Sequence, residues 1–167
     1  VDIRRAVPDD AAAIAAIHVA GWRETYAQIL PEPYLASLSV DERAERWRAT
    51  IVAGGAVHLV PGRGFAMLGA QSDPALAADW PGELRALYVL RAAQGRGLGR
   101  ALLREAVAPG GRRFTAFVLE GNDRALRFYR RTGAEEILRR PDEIDGHPIV
   151  DVLLGWRDPA AVLDVSR

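Results

Sequence analysis

The chain has 167 residues, 49% of them hydrophobic and 26% charged, and its 22 acidic and 22 basic side chains cancel to a formal net charge of zero. That length and apolar content suit one globular domain with a buried core, expected to span residues 1–167 with 157–167 as a C-terminal tail. Cysteine is absent and every basic residue is arginine, which excludes disulfides, thiolate metal sites, cysteine nucleophiles, Walker A loops and Schiff-base lysines, while the balanced charge argues against nucleic acid as a partner.

Strand and helix patterns alternate along the chain, without an internal repeat. Residues 3–7 form a short first strand. Pro8-Asp9-Asp10 opens a helix, its acids matched to the positive helix end. Ile14, Ile17, Val19 and Trp22 give that helix an apolar side. Residues 28–38 hold two prolines and read as a loop. Ser39, with Glu42 three residues on, is a capping box, so a second helix begins there. Val40, Ala44, Trp47 and Ile51 supply its expected buried stripe, and Gly54-Gly55 ends it. Strands at 56–60 and 65–70 flank Pro61-Gly62-Arg63-Gly64, and a polar connection covers 71–81. Residues 84–90 are the most strand-like run. A glycine-rich turn at 94–99 leads into a helix with Leu98, Leu102, Leu103, Ala106 and Val107 on its apolar side, stopped by Pro109-Gly110-Gly111. Residues 114–119 form a strand. Asn122 caps a short helix that sets Ala125, Phe128 and Tyr129 on one face and ends at Gly133. Strands at 135–140 and 149–156 follow, joined by an Asp145-Gly146 hairpin turn.

The chemistry concentrates where the central strand runs through Leu87-Tyr88-Val89-Leu90 into Gln94-Gly95-Arg96-Gly97-Leu98-Gly99-Arg100. Glycine lets a backbone approach a ligand closely and adopt positive φ. The first N–H groups of the following helix have no internal partner, so turn and helix together make an anion site suited to a pyrophosphate. Arg91, Arg96 and Arg100 are candidates to pair with further phosphate charge. Gly95, Gly97 and Gly99 are spaced by two, unlike the Gly-x-Gly-x-x-Gly of a dinucleotide loop. A pyrophosphate carrier that is not hydrolysed remains, and coenzyme A is the obvious one.

Gln94-x-x-Gly97-x-Gly99 matches the coenzyme A signature Gln/Arg-x-x-Gly-x-Gly/Ala, flanked by Leu87-Tyr88-Val89 and Arg100-Ala101-Leu102-Leu103. The stretch from Val118 to Ala134, with Asn122 and Tyr129, is similar to a second coenzyme A segment, about 25 residues downstream. On these motifs the chain resembles the GNAT N-acetyltransferases, from its first strand to Trp156. The resemblance implies an α/β (α+β) fold: a central, mixed, mostly antiparallel twisted sheet of about six to seven strands, flanked by helices and splayed at the cofactor site. It implies acetyl-coenzyme A as co-substrate, its pantetheine arm paired with backbone near Leu87, Tyr88 and Val89, its pyrophosphate on the turn from Gln94 to Gly99, through Gly95, Arg96, Gly97 and Leu98 and beside Arg100, and Asn122 close by. An amine would attack the thioester directly in a ternary complex, and Tyr129 would protonate the leaving thiolate.

A primary amine has a pKa near 10 and must lose a proton before it attacks. Glu83, at the start of the central strand, is the candidate base, and a backbone N–H near Val89 is the candidate donor to the carbonyl oxygen. His18, Trp22 and Tyr26 recur at i, i+4 and i+8 on one helix stripe and are candidates for the acceptor pocket; His58 and His147 read as structural. The expected acceptor is a small-molecule or peptide amine, with no metal ion, nucleic acid or membrane partner; a homodimer is compatible with the family. No apolar run approaches the roughly 18–20 residues of a membrane span and no signal-peptide pattern opens the chain, so a cytoplasmic location is expected. Two other readings stay open: a non-catalytic acyl-coenzyme A binding or sensing module, because a fold does not guarantee chemistry, and acylation of a nucleic-acid-linked amine.

Overall fold

The computed structural model describes residues 1–164. Seven strands run in the order β1-β2-β3-β4-β5-β7-β6 (β1 Arg4–Arg5, β2 Val57–Val60, β3 Gly64–Ala70, β4 Gly82–Val89, β5 Phe114–Leu119, β6 Glu135–Ile144, β7 His147–Trp156). The β1–β2, β2–β3, β5–β7 and β6–β7 ladders are antiparallel, and β4–β5 is parallel. The helices are α1 Ala11–Tyr26, α2 Glu32–Ser37, α3 Val40–Val52, α4 Leu98–Val107, α5 Asp123–Arg131 and α6 Ala160–Leu163. The mixed, mostly antiparallel sheet with helices is the expected fold. Contacts divide the chain into two compact units, Val1–Gly69 with Arg85–Ala106 and Ala70–Leu84 with Val107–Arg167.

In the first unit, strand parity sorts the core. Side chains alternate across a strand. Val57, Leu59, Phe65, Met67 and Ala86 therefore share one face and pack with Ile14 and Ile17 of α1. Val60 and Ala66 share the other and pack with Leu98, Leu102 and Ala106 of α4. Both faces being covered, every residue of β2 is buried. The chain enters α1 through a single 3-10 turn at Pro8–Asp10. Asp10 accepts two bonds from Arg4, at 2.7 and 2.8 Å, and one from the Val7 N–H. These donors, Arg4 first, hold its carboxyl down at about 2.

In the second unit, Trp156 stacks on Phe114 with centroids 4.4 Å apart. Its indole N–H donates to Thr132 Oγ1 at 3.0 Å, and the Thr132 hydroxyl donates to the Tyr129 carbonyl at 2.7 Å. Gly155 lets the Trp80 ring pack against β7, since a Cβ there would lie 2.5 Å from that ring. The β6–β7 hairpin turns at Asp145 (φ 50°) and Gly146 (φ 74°), the two left-handed positions of a type I′ turn.

Four expectations change. Residues 28–38 are not all loop: α2 lies within them. Pro31 and Pro33 fall at its cap and first turn, where a missing N–H does no harm, and Arg23 of α1 donates to the carbonyls of Leu35, Ala36 and Leu38 at its end. The first strand shrinks from 3–7 to Arg4–Arg5, the two residues that pair with Leu59 and His58. The stripe on α3 is only partly buried. Val40 is exposed and only Trp47 and Ile51 reach the core, because α3 packs on α1. After Trp156, where a tail was expected, α6 forms and Val162 is fully buried; residues 165–167 lie outside the described residues.

Candidate functional site

The turn that joins β4 to α4 is made of backbone. Gly95 (φ 80°) and Gly97 (φ 77°) are left-handed, a region costly to residues with a Cβ. A Cβ built on either would meet nothing within 4 Å, so the space above the turn is open. Gly99 lies inside α4, and the Gly97 carbonyl accepts the Ala101 N–H at 3.0 Å, which makes Gly97 the last residue before the helix. Leu98 roots the helix in the core. Arg96 is exposed and Arg100 half-buried.

Gln94 ties the turn to the strand. Its Nε2 donates to the Val89 carbonyl at 2.7 Å, while its buried Oε1 has no partner among the described residues. The Val89 oxygen is thereby occupied. Arg91, a candidate phosphate partner, is engaged instead with Glu24: its N–H donates to Oε2 and its guanidinium to the carbonyl, both at 2.8 Å. The β4–β5 ladder holds two pairs, Gly82↔Phe114 and Glu83↔Thr115, and Leu87, Tyr88 and Val89 lie beyond it along β4.

Tyr88, expected to serve through its backbone, also anchors a cluster of rings. Its hydroxyl accepts from the Trp22 indole N–H at 2.8 Å, and burial pushes its phenol pKa up. The His18 ring lies 4.7 Å from that of Tyr88 and 6.4 Å from that of Trp22, and Trp22 meets Tyr26 at 4.8 Å. The predicted α1 stripe is therefore one wall, extended by Tyr88 of β4.

Two members of this cluster were not read as site residues: Trp47 was placed only on the apolar stripe of α3, and Arg43 was not singled out. Trp47 donates its indole N–H to His18 Nδ1 at 3.1 Å. Arg43 places one guanidinium nitrogen 3.2 Å from Nε2 and 3.5 Å from Nδ1, with its charge 5.2 Å from the Trp22 ring centroid. Burial, and then the Arg43 charge, push the His18 pKa down to about 3, so the imidazole is neutral. An Arg–Trp pair at i, i+4 opposite an aromatic stripe was the available signal. Together His18, Arg43, Arg46, Trp47 and Thr50 line an open hollow of about 190 Å³.

In the second unit, Glu83 accepts at Oε2 from the Ser72 N–H (3.0 Å) and hydroxyl (2.6 Å). Asn122 caps α5, its Oδ1 accepting from the Ala125 N–H at 3.3 Å. The buried Tyr129 ring stands edge-on to Trp156 at 5.3 Å and 89°. The hairpin adds a feature that no motif flagged: Asp151 neighbours Asp142, and burial followed by that carboxylate raise it to about 6. Among the described residues, no group of three or more His, Asp or Glu is placed to hold a metal ion, and no helix is long and apolar enough to cross a membrane.

The sequence matches the model of the Acetyltransferase (GNAT) family over residues 14–134. It is 31% identical to the uncharacterised N-acetyltransferase YuaI of Bacillus subtilis strain 168, over 97% of this chain and 96% of that one. Its fold is shared with yncA of Salmonella typhimurium, a candidate acetyltransferase solved with its cofactor acetyl-CoA (TM-score 0.70, 24% identity, 93% and 92% coverage). It is shared too with the paia N-acetyltransferase of Thermoplasma acidophilum, solved with coenzyme A (TM-score 0.69, 21% identity, 93% and 97% coverage).

Proposed function

The chain belongs to the GNAT acetyltransferase family, and from that premise we propose that it transfers the acetyl group of acetyl-coenzyme A to an amine by direct attack in a ternary complex. The observation that carries this reading is the turn at Gly95 and Gly97, with open space where side chains would begin and an α4 N-terminus behind it. The buried, unpartnered Gln94 Oε1 is a polar atom that a ligand donor can satisfy. The open turn and helix start fit a bound pyrophosphate, and the Gln94 oxygen, an acceptor, fits an N–H or O–H donor elsewhere on its carrier.

Acetyl-coenzyme A supplies the activated thioester. Backbone groups of Leu87, Tyr88 and Val89 receive the pantetheine arm, and the Val89 N–H stabilises the charge that grows on the carbonyl oxygen. Gln94 holds the turn to the strand end; Gly95 and Gly97 keep its backbone bare, and Gly99 the first turn of α4; Arg96 and Arg100 add positive charge; Leu98 fixes the helix; Asn122 contributes from the start of α5. Glu83 is oriented by Ser72 and takes the ammonium proton at Oε1, directly or through water. The Tyr129 hydroxyl gives a proton to the departing sulfur. His18, Trp22 and Tyr26 wall the acceptor, a small-molecule or peptide amine. No step calls on a metal ion. The reading extends to a cytoplasmic location.

Calorimetric titration with acetyl-coenzyme A, with NADH and ATP as controls, tests the first half. An amine screen by thiol release tests the second, with no background from a chain that lacks cysteine. Tyr129→Phe is expected to lower kcat about a hundredfold while leaving acetyl-coenzyme A affinity unchanged. Failure of the folded protein to bind the co-substrate would overturn the reading. Binding without thiol release from any amine would favour the sensing module instead.

A further inference from the structure

The environment of His18 contains an imbalance of hydrogen-bonding groups. A neutral imidazole has one lone pair and one N–H. Two side chains that can only donate, Trp47 and Arg43, stand within hydrogen-bond distance of its nitrogens, at 3.1 and 3.2 Å. If Trp47 takes the lone pair on Nδ1, the proton sits on Nε2 and faces the Arg43 guanidinium. If Arg43 takes a lone pair on Nε2, the proton sits on Nδ1 and faces the indole N–H. Either way, two donors confront each other with no acceptor between them.

The hollow over this ring carries the same bias. Arg43 and Arg46 enter it one helical turn apart on α3, with Thr50 a further turn along. Among the described residues, neither arginine has a carboxylate within 4 Å. No acid lines the hollow. Its volume of about 190 Å³ is below the roughly 300–1,000 Å³ of a pocket that encloses a whole ligand, so it suits one end of a molecule.

We propose that this hollow is an oxyanion subsite, in which Arg43, Arg46 and the His18–Trp47 pair hold a carboxylate carried by the acceptor, so that the substrates are small amino-carboxylates. One anionic oxygen placed against Arg43 and the ring accepts from both of the confronting donors, and Arg46 supplies the second charge. The indoles of Trp22 and Trp47 cover the apolar part of the acceptor. The assignment of the acceptor rests on the N-acetyltransferase reading, but the anion subsite can be tested without it.

In the first test, ¹⁵N-labelled protein without co-substrate is titrated with phenylacetate, benzylphosphonate and the neutral phenylacetamide while the Trp47 and Trp22 indole N–H signals are followed. Saturable shifts with phenylacetate, absent with phenylacetamide and weakened at least about tenfold in Arg46→Gln and Arg43→Met, are expected. Arg46 is exposed, so its variant folds normally if the larger change at Arg43 does not. The phosphonate arm separates the two oxyanions: tighter binding of benzylphosphonate than of phenylacetate would overturn the carboxylate assignment. Indole signals that ignore both anions, or that answer the amide equally, would overturn the subsite. In the second test, kcat/KM is compared for amino acids and their decarboxylated amines. A preference of at least about tenfold for the acids, falling to near unity in Arg46→Gln, is expected. Equal use of both classes by the wild-type enzyme would sink this proposal while leaving acetyl transfer intact. Loss of acetyl-coenzyme A binding would sink the transfer reading while leaving the anion titration to stand or fall by itself.

Discussion

Between Val89 and Leu98 the parts are mostly backbone, two left-handed glycines and a helix start, with one side-chain amide, that of Gln94, pinned to a carbonyl. Around His18 they are side chains drawn from α1, α3, β3 and β4, and the backbone serves only to carry them. Both regions lie in the first unit, yet they fail in different ways. A backbone site tolerates changes in neighbouring side chains and is destroyed by one misplaced Cβ. A side-chain site loses function in graded steps as each ring or charge is removed.

The sharpest way to break the contrast is Gly97→Val. A β-branched residue at φ 77° is strained by roughly 1–3 kcal/mol. Its side chain meets no protein atom at Cβ and so projects into the space assigned to the co-substrate. Acetyl-coenzyme A affinity is expected to fall about a hundredfold by calorimetry, out of proportion to the loss in Tm. A fall no greater than the strain predicts would mean that the turn is only a connector.

His18 sharpens the other side. Its folded pKa, about 3, lies below that of the unfolded chain, near 6.5. The unfolded state therefore binds the extra proton first. The stability that depends on neutral His18 is complete above pH 6.5 and is lost as pH falls towards 3, at no more than about 1.4 kcal/mol per pH unit. Urea unfolding of the wild type and of His18→Gln across that window should show the steeper decline in the wild type. Parallel curves would mean that the ring is more hydrated than its surroundings imply. The smallest change is Trp22→Phe, which keeps a ring but removes the donor to Tyr88. It is expected to destabilise by about 1 kcal/mol, or roughly 2–4 °C in Tm, and to leave acetyl-coenzyme A affinity unaltered.

The same contrast accounts for what could be read from the sequence. The 114–119 strand, the Asn122 cap and the Asp145-Gly146 turn appear where local signals put them, because each is decided within a few residues. The helix α2 was missed because the carbonyls at its end are satisfied by Arg23, from a different element. Arg43 looked like any arginine on a charged helix, and only the fold brings it to His18, 25 residues away in sequence. The position of Glu83 at a strand start was legible; its partner Ser72 lies across a connection whose path has no local code. Strand order 5-7-6 was likewise invisible, since nothing in two neighbouring hairpin strands says which of them sits inside.

That order leaves β6, ten residues long, at the end of the sheet with nearly all of its side chains exposed. A long free edge invites strands from other molecules. Here the edge carries six charged residues, Glu135, Glu136, Arg139, Arg140, Asp142 and Glu143, and Pro141 removes one backbone donor from its middle. The long strand at this end of the sheet is thus poorly able to recruit another. With no excess charge to keep copies apart, resistance to strand-by-strand association rests on local features such as this edge rather than on long-range repulsion.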